Sequence, residues 1–559
     1  MSTPETDVQK RLAQRRELIL NLYKKHEADD KTVFDNILTL YQGKFWDKNG
    51  PLSLPGRFTE SDLVKSSINL VFAITESSRS VLIPTNPQVT LRDGANDADR
   101  RALLQEKAVN QALRNANLAE ELGMWVDDVV LFGRGIFKVG WDASVNSPWA
   151  KVCDVNAVVF DREAKRVSDI RHWCEITPLS KAEWEDRLAK GVYPMEFREK
   201  IRPTLYPSWL RRLDISPDAR LNDAEAWYLV YEFYDVESGT VCHYSHECEH
   251  VLLEEKFEFV PYILGFFNHN KVDCGGLSEI LLIASNQAEL NIVRSMGLEV
   301  LRSSIPTVMF DKRHVAADDV EQGQGAGVGA WVGVQLTGDN ATLGNTFMPS
   351  PQPAAPNMLQ PLMAQLQNDI AYVSALAEAQ RGQVTGAKTA TELAFIDAQL
   401  KNRLQGRQKV VERTIQRIAN LFLFLMSRYQ DDGQPPKVKT QEGWVEVTRD
   451  ALALPGTRFE VVPYSATPSN REVIRERFKE LYPILAQDPA YDPQKVRAYF
   501  LDVMDLPSDF LLPPAPPTPP GPPAMPPGAP PGLPAMPVAP PTDMPQAPML
   551  QVQGPAQGG

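Results

Sequence analysis

Five cysteines in 559 residues is a sparse allotment. Cys153, Cys174, Cys242, Cys248 and Cys274 are too few to form a disulfide framework in a chain of this size, which points to a reducing compartment. Long apolar runs are missing as well. The most apolar, Leu421 to Met426, falls far short of the roughly 20 residues that cross a bilayer, so no membrane span is expected. The opening residues, Met-Ser-Thr-Pro-Glu-Thr-Asp, lack the apolar segment of a secretory signal. Basic charge is also short, with 58 Lys and Arg against 71 Asp and Glu and a net charge of −13. A protein that reads DNA sequence usually carries a basic surplus. The acid excess argues against such a reader but not against a protein that surrounds DNA without gripping it. No internal repeat is visible. No Ser/His/Asp, Cys/His or paired-carboxylate arrangement stands out.

What is present is globular: 43% of residues are hydrophobic and 23% charged, enough for two to four domains with real cores. The dominant feature is a helical pattern from Thr389 to Tyr429, roughly 60 Å long at 1.5 Å per residue. Thr389 and Glu392 have capping-box spacing. Leu393, Ile396, Leu400, Leu404, Val411, Ile415, Ile418, Phe422 and Leu425 recur by threes and fours. Gly406 sits in its middle, either as a tolerated glycine or as a kink.

The remaining pattern is α+β. Val8 to Lys25 reads as a charged amphipathic helix with Leu12, Ile19 and Leu22 on one side, and Thr32 to Tyr41 as a second helix. Thr59 and Asp62 are spaced to cap a third, running to Val81 through Leu63, Ile68, Val71 and Ile74. Gln88 to Leu91 alternates like a strand. Helices over Asp97–Ala116 and Ala119–Phe132 follow, ended by Gly133 and Gly135. Strand patterns cover Ile136–Trp141, Ala150–Val155, Val158–Asp161, Ala226–Val236, Val241–His246 and Phe259–Phe266, with a short helix at Lys181–Ala189. Leu277, Leu281, Ala284, Ala288 and Ile292 define a helix ending near Ser304. A Gly-rich segment, Ile305 to Pro356, separates it from a second helix, Pro361 to Glu378, marked by Leu362, Leu366, Ile370, Val373 and Leu376. Sparse charge on that helix suggests packing on several sides, in a core or between subunits. Lys437–Val447 and Phe459–Tyr464 return to strand, and helices are expected at Asn470–Leu481 and Pro493–Met504. From Leu512 onward proline dominates, as in a disordered tail or a docking ligand.

Four constellations could carry chemistry. Gly382-Gln-Val-Thr-Gly-Ala-Lys388-Thr389 approaches a phosphate-binding loop, but Ala387 occupies the place of the second glycine and an Ala-rich helix, not a buried strand, precedes it. Cys242, His246, Cys248 and His250, with His243, His269 and Cys274 nearby, are suitable zinc ligands by type. Their spacing along a strand is poor, and no metal is expected. Gly323-Gln-Gly-Ala-Gly-Val-Gly329 lacks dinucleotide-binding register. Lys401, Arg403, Arg407, Lys409, Arg413 and Arg417 form a basic set on the long helix, read as a solvated face, with intersubunit ion pairs or DNA proximity as alternatives.

The order of elements resembles the portal, or head-to-tail connector, proteins of tailed bacteriophages, particularly the larger portals of short-tailed phages. Three stretches carry the likeness: Val155-Asn-Ala-Val-Val-Phe-Asp-Arg-Glu-Ala164 with Ser168-Asp-Ile-Arg171; Gly275-Gly-Leu-Ser-Glu-Ile-Leu-Leu282; and Gly386-Ala-Lys-Thr-Ala-Thr-Glu-Leu393. The resemblance covers about residues 30 to 510. It implies a closed ring of about twelve copies at one capsid vertex, without ATPase activity or cofactor of its own. By order, 1–276 is the wing, 277–304 the first stem helix, 305–356 the clip and 357–380 the second stem helix. Residues 381–388 are the tunnel loop, 389–429 the long helix kinked at Gly406, 430–465 a β return to the wing and 466–510 the crown. The tail, 511–559, lies outside the likeness. Arg381, Gly382, Gln383, Val384, Thr385, Gly386, Ala387 and Lys388 are then expected to line the narrowest part of the channel.

Implied partners are the major capsid and scaffolding proteins, the terminase large subunit, tail adaptors and double-stranded DNA passing through without sequence readout; no membrane is involved. The implied location is the portal vertex of the virion, and host cytoplasm during assembly. The alternative is a nucleotide-dependent DNA-packaging enzyme using the degenerate loop at 382–389.

Overall fold

The computed structural model describes residues 4–46, 65–83, 87–91, 100–204, 227–303, 308–310, 342–349, 358–374, 390–431, 435–440, 443–452, 459–461 and 481–482, with a few positions between 313 and 337 and Gly433. Side chains of the long C-terminal helix are described from Gln405 onward. The chain divides into two units, Met1–Arg477 and Phe478–Gly559, and every element named below belongs to the first. The expected helices at Asn470–Leu481 and Pro493–Met504 and the proline-rich segment lie outside the described residues, Leu481 and Tyr482 excepted.

The architecture is mixed helix and antiparallel sheet. Helix α1 (Pro4–His26) does not stop before α2 (Thr32–Tyr41), as the sequence suggests. A π-helical turn, Glu27–Lys31, carries the chain straight through. That turn places Asp30 inward, where it is buried. The apolar side of α1 is the expected one: Ile19 is buried, and Leu12, Leu18, Leu22 and Tyr23 pack around it against a five-stranded sheet.

That sheet has strand order β4-β5-β6-β7-β8, all antiparallel: β4 (Val158–Phe160), β5 (His172–Ser180), β6 (Trp227–Asp235), β7 (Thr240–Tyr244) and β8 (Val251–Lys256). Two of these strands carry weak sequence signals. Pro178 interrupts β5, but β4 pairs only with Trp173–Glu175, so beyond it β5 is an edge, where proline is tolerated. The charged end Glu254-Glu255-Lys256 hides β8, and charge is how an exposed edge avoids pairing with another chain. A second sheet, order β3-β2-β9, consists of β2 (Gly135–Asp142), β3 (Ser147–Cys153) and β9 (Tyr262–Gly265). Between β5 and β6 lie α6 (Lys181–Ala189), whose Ser180 and Glu183 form a complete capping box, and the one-turn α7 (Phe197–Lys200).

Helix α3 departs from expectation. It begins at Leu70 and ends at Leu82, with Asn69 accepting the Phe72 N–H as N-cap. Residues 65–69 are not helical, so the helix expected from Thr59, with Ile68 on its apolar face, is not formed there. The backbone of Ser66 and Ile68 is hydrogen-bonded instead to side chains of α8 (Glu279–Ser303). Helices α4 (Arg100–Asn115) and α5 (Leu118–Phe132) match the sequence reading, and strand β1 (Val89–Leu91) precedes them.

One core joins α2, α3, α4, α5 and the β2–β3 hairpin to α8, α9 (Leu359–Ser374) and α10 (Ala390–Tyr429). In α10, Val411, Ile415, Ile418, Phe422 and Leu425 are buried on the predicted face. Strands β12 (Lys437–Thr440) and β13 (Gly443–Glu446) form a hairpin after α10, and β14 (Phe459–Val461) pairs with β1. Between α8 and α9, β10 (Val308–Phe310) pairs antiparallel with β11 (Phe347–Pro349).

Candidate functional site

The β10–β11 pairing brings the end of α8 beside the start of α9, so the two helices run antiparallel as a hairpin and pack against each other. At 1.5 Å per residue α8 is roughly 37 Å long and α9 roughly 24 Å. Ile280, Ile283, Leu290 and Val293 of α8, and Leu366 and Ile370 of α9, face the core. Leu281 belongs to the apolar pattern that defines α8 in the sequence. It is exposed, and Ala284, Ala288 and Ile292 are only partly buried. The reason is that α8 is apolar on more than one side. Leu281, Leu282, Met296 and Leu301 of α8, with Met358, Tyr372 (83% exposed) and Val373 of α9, are left in solvent.

Three joints hold this hairpin at its base. The first is the Gly275-Gly276 turn that starts α8. Gly276 has φ +76°, and a Cβ there would collide with the Gly133 carbonyl at the end of α5. Only glycine allows that approach at that φ. Ser278 Oγ donates to the Leu131 carbonyl and accepts from Leu281 N at 3.1 Å.

The second joint is a buried ion network. Asp30 of the π turn receives Arg134 Nη2 at 2.7 Å and Arg162 Nη1 at 2.8 Å, and Arg162 Nε donates to Asp273 Oδ2 at 2.9 Å. Asp273 Oδ1 in turn accepts from Gly275 N at 2.8 Å. Burial pushes the Asp30 carboxyl up, but the His26 hydrogen bond and the two guanidinium groups outweigh it and hold it well below the usual carboxylate range. Two stretches singled out in the sequence, Val155–Ala164 and Gly275–Leu282, thus meet through Arg162 and Asp273.

The third joint is Arg407 of α10. Its Nη2 lies 2.7 Å from Glu279 Oε1 and 3.4 Å from the Ser374 carbonyl, and the guanidinium sits over Phe267. The start of α8, the end of α9 and the middle of α10 converge on one side chain. Arg407 therefore does not belong to a solvated basic face. Lys409, Arg413 and Arg417 do lie exposed, while the side chains of Lys401 and Arg403 lie outside the described residues.

A polar ladder that the sequence reading missed runs along α8. Gln287, Asn291 and Ser295 are fully buried at four-residue spacing. Ser295 Oγ accepts from Ser66 N at 3.1 Å and donates to Ser66 O at 3.1 Å. Asn291 Oδ1 accepts from Ile68 N at 2.9 Å. Gln287 accepts from Leu70 N at 3.3 Å and donates to Ile68 O at 2.7 Å. The register works because two extended residues span about 6.6 Å and four helical residues about 6 Å. The available signal was three uncharged polar residues at i, i+4 and i+8, repeated along a single face of α8.

The Cys/His cluster does not converge. Cys242 and Cys248 are buried in the apolar core between α1 and the sheet, and Cys242 Sγ accepts from Arg15 at 3.1 Å. His243 meets the Tyr193 hydroxyl at 3.0 Å, and His250 lies against Phe197. Residues along one strand alternate faces, which separates Cys242 from His243. Among the described residues no three His, Cys, Asp or Glu side chains are placed to hold a metal ion. A second buried titratable group, Lys138 between Glu175 at 2.5 Å and Glu232 at 2.7 Å, clamps β2 to β5 and β6, with Tyr262 and Tyr234 donating to the two carboxylates. Burial disfavours the charged ammonium, but the two carboxylates prevail and raise its pKa.

Residues 381–388, Thr389 and the glycines from 323 to 329 lie outside the described residues. Gly406 lies within the uninterrupted α10, with open space where a Cβ would project. No described helix is long and apolar enough to cross a membrane. Comparison with protein-family models finds no match, and comparison with curated proteins finds none either.

Proposed function

We propose that this chain is a portal subunit: about twelve copies associate side by side into a closed ring at one capsid vertex, and double-stranded DNA passes through the centre during packaging and ejection. The observation that carries this reading is the α8–α9 hairpin. It is held to the core at one end by Gly276, Asp273 and Arg407, and it presents Leu281, Leu282, Met296, Tyr372 and Val373 to solvent. Exposed apolar side chains gathered on one rigid element mark a surface that another protein covers. A cyclic heterologous contact covers it on every copy.

In this reading α8 and α9 are the stem helices, the segment between them is the clip that meets the terminase and later the tail adaptors, and 381–388 is the tunnel loop. Residue 389 onward through α10 forms the long helix behind it, 466–510 the crown, and the N-terminal helices and sheets the wing. Capsid and scaffolding proteins contact the outside. The acid excess suits a conduit, because each firm cation–phosphate contact adds affinity and slows sliding. The chain supplies no catalysis. The nucleotide-enzyme alternative needs a strand before its phosphate loop, and the described element preceding 382–389 is α9. Negative-stain imaging with an ATPase assay tests the proposal. Rings with a central hole and no ATP turnover are expected; a compact particle that hydrolyses ATP overturns it.

A further inference from the structure

The described half of α10 is divided cleanly by its helical period. Val411, Ile415, Ile418, Phe422 and Leu425 fill the core side, while Gln405, Lys409, Arg413 and Arg417 stand on the other. Lys409, Arg413 and Arg417 have no ion-pair partner within 4 Å among the described residues. Arg428, farther along, is engaged by Glu258, and Glu412, partly buried beside the ridge, is the one acid on this stretch. Spaced by four, the three cations make a ridge roughly 12 Å long.

The α8–α9 hairpin is the complement. Glu289 is exposed on the same side of α8 as Leu281, Leu282 and Met296, by a 100° helical projection. Asp369, the one charged residue of α9, is exposed next to Tyr372 and Val373 at three and four residues' distance. Neither acid has an ion-pair partner among the described residues. Counted from the β10–β11 end, Glu289 and Asp369 stand within about one helical turn of the same height. Packed helix axes lie about 8–10 Å apart, so the two helices that carry the acids are separated by a distance comparable with the length of the cationic ridge.

We infer that in the proposed ring the Lys409–Arg413–Arg417 ridge of one copy docks on Glu289 and Asp369 of the next copy's α8–α9 hairpin. The inference rests on the ring reading and names its contact. Two arguments favour a second copy over DNA as occupant. The acids lie among exposed apolar side chains, which a protein surface covers and a phosphate backbone does not. Copies that each carry −13 repel one another, so a closing contact needs local pairing of opposite charge, which gives register as well as attraction.

The test uses the full chain in four forms: wild type, the ridge reversal K409E/R413E/R417E, the hairpin reversal E289K/D369K, and all five substitutions together. Ring formation is followed by light scattering and negative stain over a range of concentration and salt. Each reversal alone is expected to raise the assembly midpoint at least tenfold, and the combined form to return to within threefold of wild type. Wild-type rings with a combined form no better than the worse single reversal overturn this inference and leave the ring reading standing. Absence of wild-type rings removes both. Duplex DNA binding that is lost in the ridge reversal while assembly is unchanged reassigns the ridge to DNA and also overturns the inference. Should a reversed form fail to fold, the pair Glu289→Cys with Arg413→Cys decides: oxidation is expected to give a ladder of linked copies, and its absence in preformed rings overturns the contact. The five native cysteines are all buried, which keeps that background low.

Discussion

Arg407 and Glu279 lie 128 positions apart in the chain and 2.7 Å apart in space, with 13% and 4% of their side chains exposed. Removing one member leaves the other buried and uncompensated, which costs about 3–5 kcal/mol, whereas replacing both with apolar residues of similar size is often nearly neutral. Arg407→Met is therefore expected to lower the urea midpoint strongly, and Arg407→Met with Glu279→Met to recover most of it. A stable single variant would show that the pair does not join α10 to the hairpin.

Asn291 is the middle rung of the ladder that fastens residues 66–70 to α8. Asn291→Leu leaves the Ile68 N–H without its acceptor, a loss of about 1–3 kcal/mol. Limited proteolysis is expected to cut faster near residues 65–69 in this variant. Unchanged cleavage would mean that the neighbouring rungs carry the segment alone.

Two glycines should respond in opposite directions. Gly276→Ala places a side chain at φ +76° against the Gly133 carbonyl and should cost at least about 2 kcal/mol. Gly406→Ala meets open space inside a helix and should stabilise by about 0.5–1 kcal/mol. Thermal unfolding of both variants checks the contrast. A Gly406→Ala variant that is more stable yet impaired in DNA packaging would show that the ring uses a bend at this position.

Acid should act through Asp30. Its pKa is lower folded than unfolded, so its stabilisation is fully present above the unfolded value of about 3.9 and is lost as pH falls toward the folded one. Between neutral pH and about 4 the network is expected to hold α1 and α2 in place. In Asp30→Asn, Arg134 and Arg162 lose their shared anion at every pH, and the difference in stability from wild type should shrink below pH 4. Equal acid sensitivity in the two proteins would remove Asp30 as its source.

Legibility in the sequence followed the kind of force at work. Helices α5, α6 and α10 were readable because one apolar face and local terminators or caps act within a few residues of each other. The β2–β3 hairpin was readable through alternation. Helix α8 was recognisable from its apolar spacing, but which side is buried was not, since Leu281 and Leu282 are as apolar as the buried Ile280 and Ile283, and only tertiary contact distinguishes them. The start of α3 was missed because the backbone of Ser66 and Ile68 is claimed by residues more than 220 positions away. For the same reason Arg407 read as a surface charge. A buried ion pair between distant elements leaves no periodic trace, and neither does the meeting of Arg162 with Asp273.

The most direct test of the central claim is the mass and shape of the purified full-length protein, by light scattering with particle imaging on the same sample. A ring of about twelve chains of 62.4 kDa, near 0.75 MDa, with a central hole, is the predicted result. A compact monomer or dimer that persists at every concentration and salt, and turns over ATP, would contradict it.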